Sequence, residues 1–199
     1  MVETIYATAS HTLTTSSGTT STVAGAPSCY RDYKLARYTF PSLKGYTDAE
    51  SIKLHVFVTS APEPTSSNIG NFLTASVSRT ATSTNSTTEV TKILTSAVST
   101  TTEVVFDFTS KIASITSLNT TTPYVLIDTN TYGDTKFTAY NNAPKKPYFE
   151  IAMPGGGGTV HYCTGGVWTP CEAYFCTDGA WKKCEARYGT GGQWKELGE

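Results

Sequence analysis

The sequence predicts an all-β protein: a jelly-roll-like β-sandwich followed by a small C-terminal set of β-hairpins. Three observations lead there. Apolar residues make up 38% of the 199 and charged residues only 16%, so neutral hydroxyl side chains must cover the surface. Threonine supplies much of that cover, and its branched Cβ favours strands over helices. The third observation is a 13-residue spacing of tryptophans after residue 158, at Trp168, Trp181 and Trp194.

The clearest strand is residues 51–58, where Ile52, Leu54, Val56 and Val58 alternate with Lys53 and His55. Phe57 interrupts the polar side, which implies partial cover there. Pro62 and Pro64 end this strand, since proline cannot donate to a ladder. Residues 3–8, 34–40, 72–79, 89–94, 103–108, 124–128, 136–139 and 148–153 read as further strands. About nine strands in one domain is the spacing of a sandwich. One helical turn is expected at 109–117, with Ile112 and Ile115 inward. The Thr/Ser runs at 80–88 and 96–102 read as loops or exposed edges.

Pro154 and the four glycines at 155–158 mark a linker, because consecutive glycines lose too much backbone entropy inside an element. The expected organisation is a sandwich at 1–153, a linker at 154–158 and three repeats at 159–199. Each repeat carries an aromatic residue, a glycine turn and a tryptophan. Gly165-Gly166, Asp178-Gly179 and Gly191-Gly192 are two-residue hairpin signals. Three hairpins in series are expected to form a small meander.

Cys163, Cys171, Cys176 and Cys184 occupy the first two repeats, and Gly189 and Leu197 replace the equivalent pair in the third. That joint replacement favours pairing Cys163 with Cys171 and Cys176 with Cys184. Hairpin register favours another arrangement, with Cys163 opposite Trp168 and Cys171 opposite Cys176. Connectivity stays open at this level, and reduced thiols are a third state. Their gaps of seven, four and seven residues do not suit structural zinc. Cys29 stands apart and reads as a small buried hydrophobe.

Trp168, Trp181 and Trp194, with Tyr162, Tyr174 and Tyr188, are the candidate contact residues for a glycan or a subunit. Exposed aromatic rings can stack on sugar rings. The plainer expectation is that the tryptophans pack on one another as the core of a short repeat.

Catalysis is not expected. His11, His55 and His161 have no triad or metal spacing, and no nucleophile elbow, zinc-protease motif or phosphate loop occurs. Asp107 reads as a buried or capping carboxylate near Thr109 and Ser110. No catalytic residue, metal or cofactor is assigned. The region up to residue 158 has 11 basic and 11 acidic residues, and the remainder has 4 and 5. A nucleic-acid binder would carry a basic face. The start of the chain lacks a basic segment followed by an apolar one, and reads as a first strand. No apolar run suggests membrane insertion.

Four stretches carry a resemblance. They are residues 36–43, residues 48–58, the run Val105-Phe106-Asp107-Phe108-Thr109, and Pro147-Tyr148-Phe149-Glu150-Ile151. Together they resemble the DNRLRE-type β-sandwich, a jelly-roll relative of carbohydrate-binding modules, over roughly residues 2–153. The tryptophan that follows the third stretch in that family has no counterpart here before Trp168. The repeats resemble C-terminal units of phage virion proteins, with Trp181-Lys182 and Trp194-Lys195 fitting and Trp168-Thr169 departing.

These resemblances imply a phage structural protein on the virion surface, as a capsid decoration, a head fibre or a tail accessory. Its implied partners are other virion proteins, further copies of itself in a trimer or lattice, and a host surface glycan. The alternative is an extracellular carbohydrate-binding module.

Overall fold

A computed structural model describes residues 2–16, 19–64, 70–154, 160–164, 167–171, 174–177, 180–183, 187–190 and 193–196. The first strands are β1 (Val2–Tyr6), β2 (Ala9–Ser16), β3 (Thr19–Ala24), β4 (Ser28–Cys29) and β5 (Lys34–Thr39). Next come β6 (Ser51–Ser60), β7 (Asn71–Ser78), β8 (Val90–Leu94) and β9 (Thr102–Asp107). A 3-10 turn (Thr109–Lys111) and the helix α1 (Ile112–Thr116) precede β10 (Tyr124–Thr129), β11 (Thr135–Phe137) and β12 (Tyr148–Ala152). These elements lie in one unit, Val2–Ala152; the second unit contains Met153–Glu199.

The unit is all-β, as its composition predicts, and its strands form two antiparallel sheets. Sheet one is organised by β6, the longest strand. β9 pairs with one edge of β6 from Lys53 to Val58. The other edge is shared end to end, by β12 at Ser51–His55 and by β11 at Val58 and Ser60. β1 extends the sheet beyond β12, and β4 beyond β11. Sheet two runs β3-β2-β5-β10-β7-β8.

The alternation read in residues 51–58 holds. Ile52, Leu54, Val56 and Val58 are fully buried, and β9 and β12 add Phe106, Phe149 and Ile151 beside them. Sheet two supplies Ala36, Tyr38, Ala75, Val77, Val125 and Ile127. Aromatic rings join the two layers. Phe149 of sheet one lies 4.7 Å from Phe40, which directly follows β5. It also meets Phe108, just past β9, edge-on at 6.1 Å. The Tyr38 hydroxyl crosses the core to donate to the Thr138 carbonyl at 2.7 Å, satisfying a polar group that burial would otherwise penalise.

Several expectations need correction. The hairpin of β2 and β3, and the short β4, were not expected as strands. β3 is exposed along its whole length, so its hydroxyl residues form a ladder without any apolar period to announce it. The run at 80–88 is not wholly a loop facing water. Thr88 is fully buried, and its hydroxyl both donates to Val77 O at 2.7 Å and accepts from Val77 N at 3.0 Å. That side chain continues the edge of β7 after its pairing with β8 ends at Ala75. His55 lies on the face opposite the apolar set, as read, and the cover expected there leaves it 9% exposed. The helical turn lies where expected, with Ile115 buried and Ile112 only partly so. Asp107 is exposed rather than buried, and it accepts from Thr109 N, at the start of the turn, at 2.9 Å.

Phe149 touches both layers, so Phe149→Ala should destabilise the sandwich by about 3–5 kcal/mol, the usual cost of emptying a buried phenylalanine site. Urea unfolding followed by circular dichroism measures this. A loss below about 1 kcal/mol would mean that the sheets do not depend on this ring.

Candidate functional site

The C-terminal strands are β13 (Val160–Thr164) with β14 (Val167–Cys171), β15 (Tyr174–Thr177) with β16 (Ala180–Lys183), and β17 (Arg187–Thr190) with β18 (Gln193–Glu196). Thr164 pairs with Val167, Thr177 with Ala180 and Thr190 with Gln193, so each turn spans two residues. The three registers are equivalent. Trp168 lies opposite Cys163, Trp181 opposite Cys176, and Trp194 opposite Gly189. Tyr162 pairs with Thr169, Tyr174 with Lys183 and Tyr188 with Lys195. The ladders of the described residues are three separate two-stranded sheets rather than one meander. The side chains of these tryptophans, tyrosines and cysteines, all of Cys184 and the glycines 155–158 lie outside the described residues.

Register bears on the thiols through the backbone alone. Cys163 sits on the Trp168 rung and Cys171 on the Val160 rung, three residues apart along the ladder. Three strand residues span about 10 Å, and a disulfide needs Cα atoms within about 7 Å. Cys171 and Cys176 belong to different two-stranded sheets. Peptide mapping of the unreduced chain should therefore find no Cys163–Cys171 bridge. Recovery of that linked peptide in quantity would contradict the register.

Two aromatic clusters emerge in the sandwich that sequence reading missed. One is a row across the outer face of sheet one, Tyr6–Tyr148–His55–Val105. His55 stacks on Tyr148 at 4.4 Å with the ring planes 7° apart, and its Nδ1 lies 2.7 Å from Glu103 Oε1. Tyr148 lies 5.8 Å from Tyr6. Burial, then the charges of Glu103 and Glu150, raise the Tyr148 phenol above its ordinary pKa. These rings largely satisfy one another. His55 Nε2 is buried without a partner.

The other cluster sits on loops at one end of the sandwich. The turn between β4 and β5 holds Tyr30, Arg31, Asp32 and Tyr33; the loop between β10 and β11 holds Tyr132 and Asp134. Tyr30 and Lys34 exchange backbone hydrogen bonds at 3.0 Å, closing a turn in which Asp32 takes φ +63°. Aspartate tolerates that left-handed geometry better than most residues. Arg31 N donates to Thr131 O at 3.2 Å and joins the two loops. The Arg31 guanidinium then lies 4.6 Å over the Tyr132 ring. Tyr33 meets Tyr30 edge-on at 5.8 Å, and Lys34 Nζ reaches Asp134 at 2.8 Å. Tyr132 is 67% exposed and Tyr33 57%.

The second loop is held from beneath. Thr131, buried, donates to Asn71 Oδ1 at 2.8 Å, and Asn71 donates to Pro62 O at 2.7 Å. Asn130 accepts from Phe72 N at 2.9 Å. Gly133 packs so closely that a Cβ there would come within 2.8 Å of Pro62 Cγ. Below lies Cys29, fully buried and free. Burial, aided by Asp128 and Asp134, holds its thiol well above the ordinary range and so protonated. Tyr30-Arg31-Asp32-Tyr33 is visible in the sequence as a charged aromatic turn, but its partner loop lies about a hundred residues away.

No protein-family model matches this chain, and no curated protein matches it either. Among the described residues, no three His, Cys, Asp or Glu side chains gather as a metal-binding group, and no helix is long and apolar enough to cross a membrane.

Asp128, at the end of β10, supplies a pH test. Burial raises its carboxyl above the ordinary range against the bond from Thr129 N, with Asp32 and Glu89 adding to the rise. A raised folded-state pKa means that the folded chain holds this proton more firmly than the unfolded chain. Stability from this group is thus present below the ordinary carboxylate pKa and lost as pH rises through the folded value. Asp128→Asn should raise the thermal midpoint at pH 7, with the gain fading toward pH 3. A variant less stable than its parent at pH 7 would show that the carboxylate is a net stabiliser.

Proposed function

We propose that this chain is a non-enzymatic structural protein of a phage virion, displayed at the particle surface as a capsid decoration, a head fibre or a tail-associated accessory. The observation that carries the reading is the equivalent register of the three C-terminal hairpins. Repetition of one small backbone unit offers the same ladder at each step, which suits attachment to a surface that is itself repeated. The sandwich adds a body with exposed strand edges, β3 among them, of the kind that can meet neighbouring copies. Its jelly-roll relationship and the phage-like repeats are part of the same proposal. They rest on the sequence resemblances, as do the partners: other virion proteins and further copies of this chain.

Mass spectrometry of purified particles tests it. The chain should be present in many copies per particle and should remain after gradient purification. Recovery only as free protein in the supernatant would overturn the reading.

A further inference from the structure

We propose that the cleft at the end of β7 is a binding site for a small oxyanion, a phosphate or carboxylate group held by Arg79. The cleft has a volume of about 430 Å³, within the range that takes a small molecule. Its floor is Ser78, the last residue of β7. One wall is the loop that follows, as far as Ser86, and the other is the connection after α1, at Ser117 and Leu118. Two segments distant in the sequence therefore enclose one space. The loop is fixed before any ligand arrives. Thr80 N donates to Ser78 Oγ at 3.1 Å, and Thr80 Oγ1 donates to Ser83 O at 3.3 Å. Asn85 N donates to Ser76 Oγ at 3.3 Å, and Asn85 Nδ2 to Val77 O at 3.4 Å. Thr88 holds Val77 from the buried side. A site held in this way has little ordering left to lose on binding.

What the cleft has left over selects its ligand. Acceptors are already occupied. Asn85 Oδ1 takes Thr87 N and the Thr87 hydroxyl, at 3.3 and 2.8 Å. The carbonyls of Ala113, Ser114 and Ile115, at the end of α1, take Ser117 N, the Ser117 hydroxyl and Leu118 N. Donors are free. The hydroxyls of Thr84 and Ser86 and the guanidinium of Arg79, all on exposed residues, make no hydrogen bond or ion pair among the described residues. No carboxylate lines the cleft. Arg37 brings a second positive charge to the loop, its Nη1 donating to Ala81 O at 3.2 Å. The nearby acids gather elsewhere: the charge of Glu89 bears on Asp128, which pairs with Thr74, four residues or about 13 Å along β7 from Ser78. Unused donors beside an uncompensated positive charge call for an oxygen anion. A guanidinium meets phosphate or carboxylate through two parallel bonds.

Nitrogen–proton correlation spectra of the full chain, titrated at neutral pH and constant ionic strength with inorganic phosphate or with citrate, test the site. At least one of the two anions should move the amide signals of the loop after β7 and of Ser117 and Leu118, and saturate; sodium chloride should not. Which of the two saturates assigns the head group. Arg79→Gln should weaken the binding about tenfold or more, an effect of roughly 1.4 kcal/mol. Arg79→Lys should keep part of it, and Arg31→Gln, outside the cleft, should keep all of it. Arg79 is exposed, so thermal unfolding of its variants should match the parent and rule out misfolding as the cause. The proposal is overturned if neither anion moves these signals, if the shifts spread evenly over all the surface cations, or if binding survives in Arg79→Gln. Particle incorporation is a separate measurement, so failure here leaves the virion reading standing, and the reverse also holds.

Discussion

Sheet one and sheet two are held face to face by a seam of large aromatic side chains, and the rest of the fold follows from it. Tyr38, Phe40, Phe106, Phe108, Phe137 and Phe149 are all fully buried. In a chain with few apolar residues to spend, these rings concentrate burial, each removing on the order of 150–250 Å² from water. Phe149 is the point where the seam closes, because it belongs to the last strand of the sandwich yet meets Phe40 and Phe108 from earlier elements. The same strand pairs with β1. The beginning and end of the domain are therefore joined in one ladder.

With the interior supplied by rings, hydroxyl and amide side chains take over work that strands would otherwise do. Thr88 extends the β7 edge with its own oxygen. Ser10 donates to Gly25 O at 2.7 Å and accepts from Tyr140 N at 3.1 Å, joining two connections to β2. Asn71, Asn130 and Thr131 do the same beneath the loop cluster. Buried polar groups satisfied in this way rigidify the loops they serve. This is why a protein so rich in threonine and serine can hold aromatic side chains out in water on short loops without those loops collapsing onto the core.

The parts of this structure that were readable in the sequence share one property: their signal is local. Ile52, Leu54, Val56 and Val58 announce β6 by alternation, and the Gly-Gly and Asp-Gly pairs with their tryptophans announce both the hairpins and the register of Trp168 against Cys163. β2 and β3 were missed because their threonines and serines are polar on both faces, so no period of two distinguishes inside from outside. How deeply His55 is covered on that outer face was not readable for a related reason. Its polar ring reads as outward, yet Tyr148 from β12 stacks on it, and that pairing is fixed by a strand almost a hundred residues later. The loop cluster is the extreme case. Neither Tyr33 nor Tyr132 is unusual alone, and their loops are brought together by contacts across about a hundred residues, from Arg31 to Thr131 and from Lys34 to Asp134.

The two proposals bear on each other through valency. A site built from one arginine and a few hydroxyls belongs to the weak end of recognition. A millimolar anion site corresponds to about 4 kcal/mol, too little to hold a large object by itself. Copies fixed on one body change that arithmetic when the oxyanions are also carried on one body. Each bound copy then raises the effective concentration of anion at the next, and gains of 10²–10⁴ or so need no new contact. A free small anion gains nothing from such display. A weak site is then suited to a displayed protein, because single contacts can release and rebind while the whole stays attached. Strong binding at one cleft would remove that freedom. The modest chemistry of Arg79, Thr84 and Ser86 is thus consistent with a surface role, and it makes copy number, rather than the individual cleft, the quantity on which adhesion would depend.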